Sequence, residues 1–111
     1  MAYDEDLAGR IRDLVAGDPA LSEKKMFGGL AFLIGGNMAV AASGNGGMMV
    51  RVDPAESDNL VSTTAATVME MRGRAMSGWL HLDASDVGAT GELEEWVERG
   101  VSYARSLPPK R

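Results

Sequence analysis

The first apolar residues of the chain recur at the spacing of a helix. The acidic run Asp4-Glu5-Asp6 precedes them and suits the positive end of a helix dipole. Gly17, Asp18 and Pro19 follow and end such a helix. The pattern therefore predicts a first helix, whose buried stripe consists of Leu7, Ile11, Leu14 and Val15.

Three short apolar runs follow, at residues 30–34, 38–42 and 48–52. Gly35-Gly36-Asn37 separates the first two runs and can take the positive φ values that a hairpin turn needs. Residues 43–47, Ser-Gly-Asn-Gly-Gly, allow a second, looser reversal before the third run. The pattern predicts a meander of three strands.

The second half of the chain predicts two more helices around two more strands. Asp53-Pro54-Ala55-Glu56 combines a capping residue, proline in the first turn and a glutamate, which is typical of a helix start, and this helix continues to about Thr64. Strands are predicted at 68–71 and 78–83, joined by the connection 72–77. A last helix starts near Thr90 or Gly91 and ends before Pro108. Its buried stripe is Leu93, Trp96, Val97, Val101 and Ala104.

The predicted order is α-β-β-β-α-β-β-α, which favours an α+β fold with a mainly antiparallel sheet and helices on one face. A chain of 111 residues fits one domain, residues 1–111. Several strands are apolar on both faces, and three short helices do not shield both sides of a five-stranded sheet. We therefore expect a second subunit to cover the rest, so that the protein is a homodimer.

The glycines of residues 44–47 raise the alternative of a phosphate-binding loop. Their spacing fails the dinucleotide fingerprint, because Met49 stands where the third glycine is required. The segment also joins strand to strand, whereas a phosphate loop opens a helix. We interpret these glycines as turns and predict no cofactor.

Charge and composition narrow the function further. The chain has 11 basic and 16 acidic residues, a net charge of −5, which argues against nucleic-acid binding by bulk electrostatics. The uncharged stretch 26–49 contains glycines and asparagines that a bilayer would leave unsatisfied, so no membrane span is predicted. There is no cysteine, and the acidic N-terminus is not an export signal. We expect a cytoplasmic protein.

Three blocks of the sequence resemble one known family. Lys25-Met26-Phe27-Gly28-Gly29, followed by a strand, a Gly-Asn turn and a strand ending at Asp53, is similar to the signature of the TfoX (Sxy) N-terminal domain. Residues 73–79, Gly-Arg-Ala-Met-Ser-Gly-Trp, resemble the second block, and Leu93 with Trp96 the third. The resemblance covers about residues 7–107 and suggests a stand-alone short form of the domain.

The resemblance implies a fold and a role. The family takes its name from regulators of natural competence that act with a cyclic-AMP receptor protein, and its fold is similar to that of secretion chaperones. The resemblance implies a non-enzymatic regulatory domain that acts by binding another protein. Co-regulation of transcription is one such role. The named regulators carry a further helical domain that these 111 residues do not contain, so we do not expect the competence role itself to follow from the resemblance.

His81 and Asp83 form the strongest candidate for chemistry. With Arg74 they define an alternative, a small-ligand or enzymatic site. Residues two apart on a strand point side by side, however, and Ser77 is not in a nucleophile elbow, so a solvated histidine is the simpler interpretation. Residues 83–94 overlap a calcium loop but have Val87 at a ligand position. We predict no catalytic or metal-binding residue.

The connection 72–77 contains the residue types of interface hot spots. Arg72, Arg74, Met76 and Trp79 are therefore predicted to bind a protein partner. Direct DNA contact through Arg72 and Arg74 is a further alternative. The simplest alternative is that this segment is an ordinary polar hairpin tip without a binding role. The abundant methionines are interpreted mainly as core residues, with Met76 as the exception.

Overall fold

A six-stranded antiparallel sheet carries three helices on one face in the computed structural model, which describes residues 3–26, 28–44, 46–71 and 73–109. The strand order is β1-β2-β3-β4-β6-β5. The elements in chain order are α1 (Glu5–Val15), β1 (Leu21–Met26), β2 (Gly29–Ile34), β3 (Asn37–Ala42), β4 (Met48–Arg51), α2 (Pro54–Thr63), β5 (Thr67–Met71), β6 (Arg74–Leu82), a 3₁₀ turn (Ala84–Val87) and α3 (Thr90–Ser106). The predicted α+β class with helices on one face is confirmed.

The prediction of five strands was wrong by one, because β1 was missed. Its sequence, Leu-Ser-Glu-Lys-Lys-Met, has three adjacent charges and no apolar alternation. It becomes a strand by pairing with β2, from Leu21 opposite Ile34 to Met26 opposite Gly29. Charged side chains are common on such edge strands, since they discourage pairing with other chains.

The connection predicted at 72–77 was also wrong, because β6 already begins at Arg74. Among the described residues, the turn is formed by Gly73, whose φ is 77°. The register of β6 against β5 then shifts between Met76 and Leu80. Gly78, whose φ is 89°, lies in this irregular part of β6. Residues 74–76 of the predicted connection therefore belong to the β5–β6 ladder.

The predicted β2–β3 hairpin is confirmed, with a tighter turn. Gly35 and Gly36 have φ of 60° and 82°, as a two-residue hairpin turn of the primed type requires. Asn37 is not in the turn but opens β3, where it is buried and its amide donates to the carbonyl of Pro108 at 2.9 Å. This bond holds the end of the described chain against the sheet.

The main core lies between the sheet and the helices. All three helices contribute to it, and α3 packs across β2, β3 and β4. Gly100 permits this contact, because a Cβ there would lie 2.4 Å from the carbonyl oxygen of Ala39. The predicted stripe of α3 is confirmed, whereas Leu14 of α1, predicted to be buried, is 38% exposed and Ala8 is buried. The largest fully buried side chains include Phe32, Ile11, Ile34, Met48, Leu80, Leu82 and Leu93.

Two surface ion pairs fasten α1 and the turn after it. Arg12 of α1 donates to both carboxylate oxygens of Glu23 on β1, at 2.8 and 3.0 Å. Arg105 of α3 donates to Asp18, which also accepts from the backbone N–H of Ala20. These hydrogen bonds lower the pKa of Asp18 and of Glu23 below the ordinary values.

No helix within the described ranges is both long and apolar enough to span a bilayer.

Candidate protein-interaction surface

The sheet has a second apolar surface on the side away from the helices, here called the open face. The residues of β1–β4 and β6 that point away from the main core form it, and no described helix residue belongs to its apolar cluster. Its apolar members make one cluster: Met26, Ala31, Leu33, Met38, Ala41, Met49 and Trp79. The apolar character of both faces of the sheet is thus present in the fold.

Flexible side chains cover the centre of the open face. The alanines at its centre, Ala31 and Ala41, are only 0% and 4% exposed, because larger neighbours lie over them. Met26, Met49 and Trp79 remain half-buried, so they present thioether and indole surface to the outside. Methionine side chains adapt to many shapes, which suits a binding surface.

The methionines divide between the two faces of the sheet. Met48 belongs to the main core and is fully buried, as the sequence interpretation expected. Met26, Met38 and Met49 lie instead on the open face. The interpretation of methionine mainly as core was therefore too broad.

Arg51 is stacked between two aromatic rings at one end of the open face. It lies opposite Trp79 in the β4–β6 pairing, and its guanidinium carbon is 4.9 Å from the centroid of the Trp79 ring and 5.7 Å from that of Tyr103 on α3. A cation this close to aromatic faces is attracted by their quadrupoles. The stack holds both side chains in place beside the apolar cluster.

The charges on the open face are all positive. Lys24 lies opposite Ala31 and therefore points to this face, as does Arg51, which lies opposite Trp79. The single acidic residue in β1–β4 and β6 is Glu23, which points to the helix side and pairs with Arg12. In a chain with a net charge of −5, the open face is thus free of carboxylates along these five strands.

The structure divides the predicted partner-binding residues. Trp79 lies within the apolar cluster of the open face. Arg74 is exposed at the start of β6, opposite residue 71, and Met76 is half-buried opposite Met69, so both lie in the β5–β6 hairpin and outside that cluster. Arg72 lies outside the described residues. The grouping of all four into one site stays a prediction.

The alternative site at His81, Asp83 and Arg74 is not assembled. His81 Nε2 lies 3.3 Å from the carbonyl oxygen of Gly46, so the ring contacts the β3–β4 loop. Asp83 starts the 3₁₀ turn, where its backbone N–H donates to Asp86 at 3.2 Å. Arg74 stands at the other end of β6. Ser77, the candidate nucleophile, donates instead to the carbonyl of Pro54 at 3.4 Å.

The glycines after β3 form a tight turn against β6. Ser43 and Gly46 donate backbone hydrogen bonds across the turn, to Gly47 and Ser43 respectively, each at 3.0 Å. A Cβ on Gly47 would lie 2.4 Å from the carbonyl oxygen of Leu82. The close approach to the neighbouring strand therefore explains why glycine is required at position 47. Asn45 in the same turn lies outside the described residues.

A cleft of about 420 Å³ lies between the end of α2 and α3. It is lined by the carboxylates of Asp86, Glu92 and Glu95 and by Arg99, whose guanidinium stacks 4.7 Å from the Trp96 ring. Within the part of the chain that the structure describes, no three histidine or acidic residues are placed to bind a metal, and no buried side-chain N or O atom lacks a partner. We therefore assign no ligand to this cleft.

Sequence reasoning missed most of the open face. Lys24, Arg51 and Met49 were not predicted as partner-binding residues, because the face to which a strand residue points depends on its pairing. One signal was available. Arg51 alternates with Val50 and Val52, so it was predictable on the face opposite to that of the two valines.

Comparison with known families identifies the family to which this chain belongs. The family model of the TfoX N-terminal domain matches residues 13–104, most of the 111-residue chain. The chain therefore belongs to the TfoX N-terminal domain family, as its resemblance suggested. This is not a known enzyme family. No curated protein matches the chain.

Proposed function

We propose that this protein is a non-enzymatic regulatory domain that binds another protein through the open face of its sheet. The observation that carries the proposal is the apolar cluster around Trp79, which no described element covers. The largest contiguous apolar patch on the surface of a soluble protein is often a binding site. Family membership supports a competence-related regulatory role at most, and a cytoplasmic location stays a prediction.

Adjacent lysines on β1 allow a matched test. Lys24 points to the open face and Lys25 to the helix side, and both are exposed. A photo-crosslinking amino acid placed at each position in turn, in cells that express the protein, samples the two faces with little structural change. We expect cross-linked protein adducts from position 24 and few from position 25. Equal adducts from both positions, or none, would refute the proposal.

A homodimer, as expected from the sequence, is the second candidate. The same observation favours it, because two copies would shield their apolar clusters by packing open face to open face. Light scattering at micromolar concentration tests this candidate. A dimer that Trp79→Glu dissociates would support it, and a monomer across the whole range would remove it.

Direct DNA binding through Arg72 and Arg74 has less support. Arg74 is exposed but lies in a chain with 16 acidic residues, and Arg72 is not described. A mobility shift that weakens steeply with salt and is lost in Arg74→Glu would support this alternative.

A further inference from the structure

The acidic residues of this chain are segregated from the open face. Of the 16 acidic residues, only Glu23 lies in β1–β4 or β6, and it points to the helix side. By contrast, α3 alone carries four glutamates: Glu92, Glu94, Glu95 and Glu98. A binding partner that approaches the open face therefore meets apolar groups, the cations Lys24 and Arg51 and neutral polar groups such as Ser22, but no carboxylate of these five strands.

The size of the open face limits what can bind there. Strands β1–β4 contribute four to six residues each, and β6 contributes the four residues 79–82 that pair with β4. At about 3.3 Å per residue and about 4.8 Å between strands, these five strands give a surface of about 400 Å². Two copies packed face to face would bring the Lys24 and Arg51 cations of both copies to one interface, where like charges repel.

A helix fits these dimensions. A helix of about 12–16 residues is about 18–24 Å long and about 10 Å wide. The other side of the same sheet already accepts a helix, since α3 packs across β2, β3 and β4. Methionine-rich surfaces accept the apolar stripe of amphipathic helices by adjusting their side chains.

We propose that the open face binds an amphipathic helix of another protein, whose apolar stripe is flanked by aspartate and glutamate. This inference rests on the proposed function and specifies the chemistry of the partner. The apolar stripe packs on Met38, Met49 and Trp79, and the flanking carboxylates pair with Lys24 and Arg51. Such charge pairing steers the encounter and rejects partners with basic flanks.

The test is a selection of helical peptides. A display library of about 16-residue peptides fixes leucine at i, i+3, i+4 and i+7 and randomises the flanking positions. Peptides selected on the purified protein are measured by fluorescence in a Trp96→Phe background, in which Trp79 is the single tryptophan. We expect the flanks to be enriched in aspartate and glutamate. We also expect the double substitution Lys24→Glu and Arg51→Glu to weaken peptide binding about tenfold or more. The control substitution, Lys25→Glu, should change the affinity by no more than about twofold.

Arg51→Glu also disturbs the stack on Trp79, so Lys24→Glu alone is measured as well, and a several-fold loss is expected. Enrichment of neutral or basic flanks, failure to select any peptide, or an equal loss in Lys25→Glu would overturn the inference. A dimer that uses the open face would also overturn it. If position 24 cross-links a cellular protein while the library selects neutral flanks, the proposed function stands and only the acidic chemistry fails.

Discussion

The backbone of Ala39 lies directly against Gly100, so α3 packs closely on β3 at this point. A Cβ at position 100 would be 2.4 Å from the Ala39 carbonyl oxygen and 2.9 Å from a methyl group of Val40. Glycine in a helix normally costs about 1 kcal/mol relative to alanine. Here that cost is offset by the close packing of α3 on β3.

Gly100→Ala should therefore destabilise the protein, although alanine favours helices. We expect the free energy of unfolding to fall by about 1–3 kcal/mol, because α3 must move away from β3. Gly9→Ala is the matched control. Gly9 lies in the middle of α1, and a Cβ there would meet no neighbouring atom within 4 Å, so this change should stabilise by about 0.5–1 kcal/mol. Urea unfolding of both variants measures the two signs, and stabilisation by both would contradict the packing argument.

Arg51→Gln should weaken the stack at the end of the open face. Loss of the cation over Trp79 and Tyr103 removes about 0.5–1 kcal/mol of stability. A double-mutant cycle with Trp79→Leu should show a coupling energy of that size. Lys25→Gln, on the exposed helix side of β1, serves as the control and should change stability little. A coupling near zero would show that the stack contributes no stability.

Ser57→Ala should destabilise the contact between α2 and β6. The buried Ser57 hydroxyl accepts the backbone N–H of Gly78 at 3.2 Å. Its removal leaves that N–H without a partner, at a cost of about 1–3 kcal/mol. Ser62→Ala, on the exposed side of α2, is the control. Equal effects of the two substitutions in thermal unfolding would argue against the buried hydrogen bond.

Acid should destabilise the protein through Asp18 and Glu23. Their pKa values in the folded state lie below those of the unfolded chain, about 3.9 and 4.3, because Arg105 and Arg12 donate to the carboxylates. The stabilisation is therefore present above the unfolded pKa and is lost as the pH falls through the folded pKa. Urea unfolding from about pH 7 to about pH 2 gives the free energy of unfolding as a function of pH. The double substitution Asp18→Asn and Glu23→Gln should reduce the slope of that dependence below about pH 5. An unchanged slope would contradict the assignment.

Local signals in the sequence were sufficient for most of the fold. Asp4 and Asp53 cap α1 and α2 with side-chain hydrogen bonds to backbone N–H groups, at 3.0 and 2.9 Å. Gly35 and Gly36 set the hairpin, and periodicity predicted α3. Each of these signals depends on residues within a few positions of one another, so the sequence determines them without the rest of the fold.

Only the tertiary structure decided β1, the length of β6 and the composition of the open face. The polar residues of β1 become a strand through pairing with β2, which is a non-local interaction. Strand pairing likewise places Lys24, Arg51 and Trp79 on the same face, although they are far apart along the chain. Strand register determines which side chains share a face, and residues distant in sequence set that register.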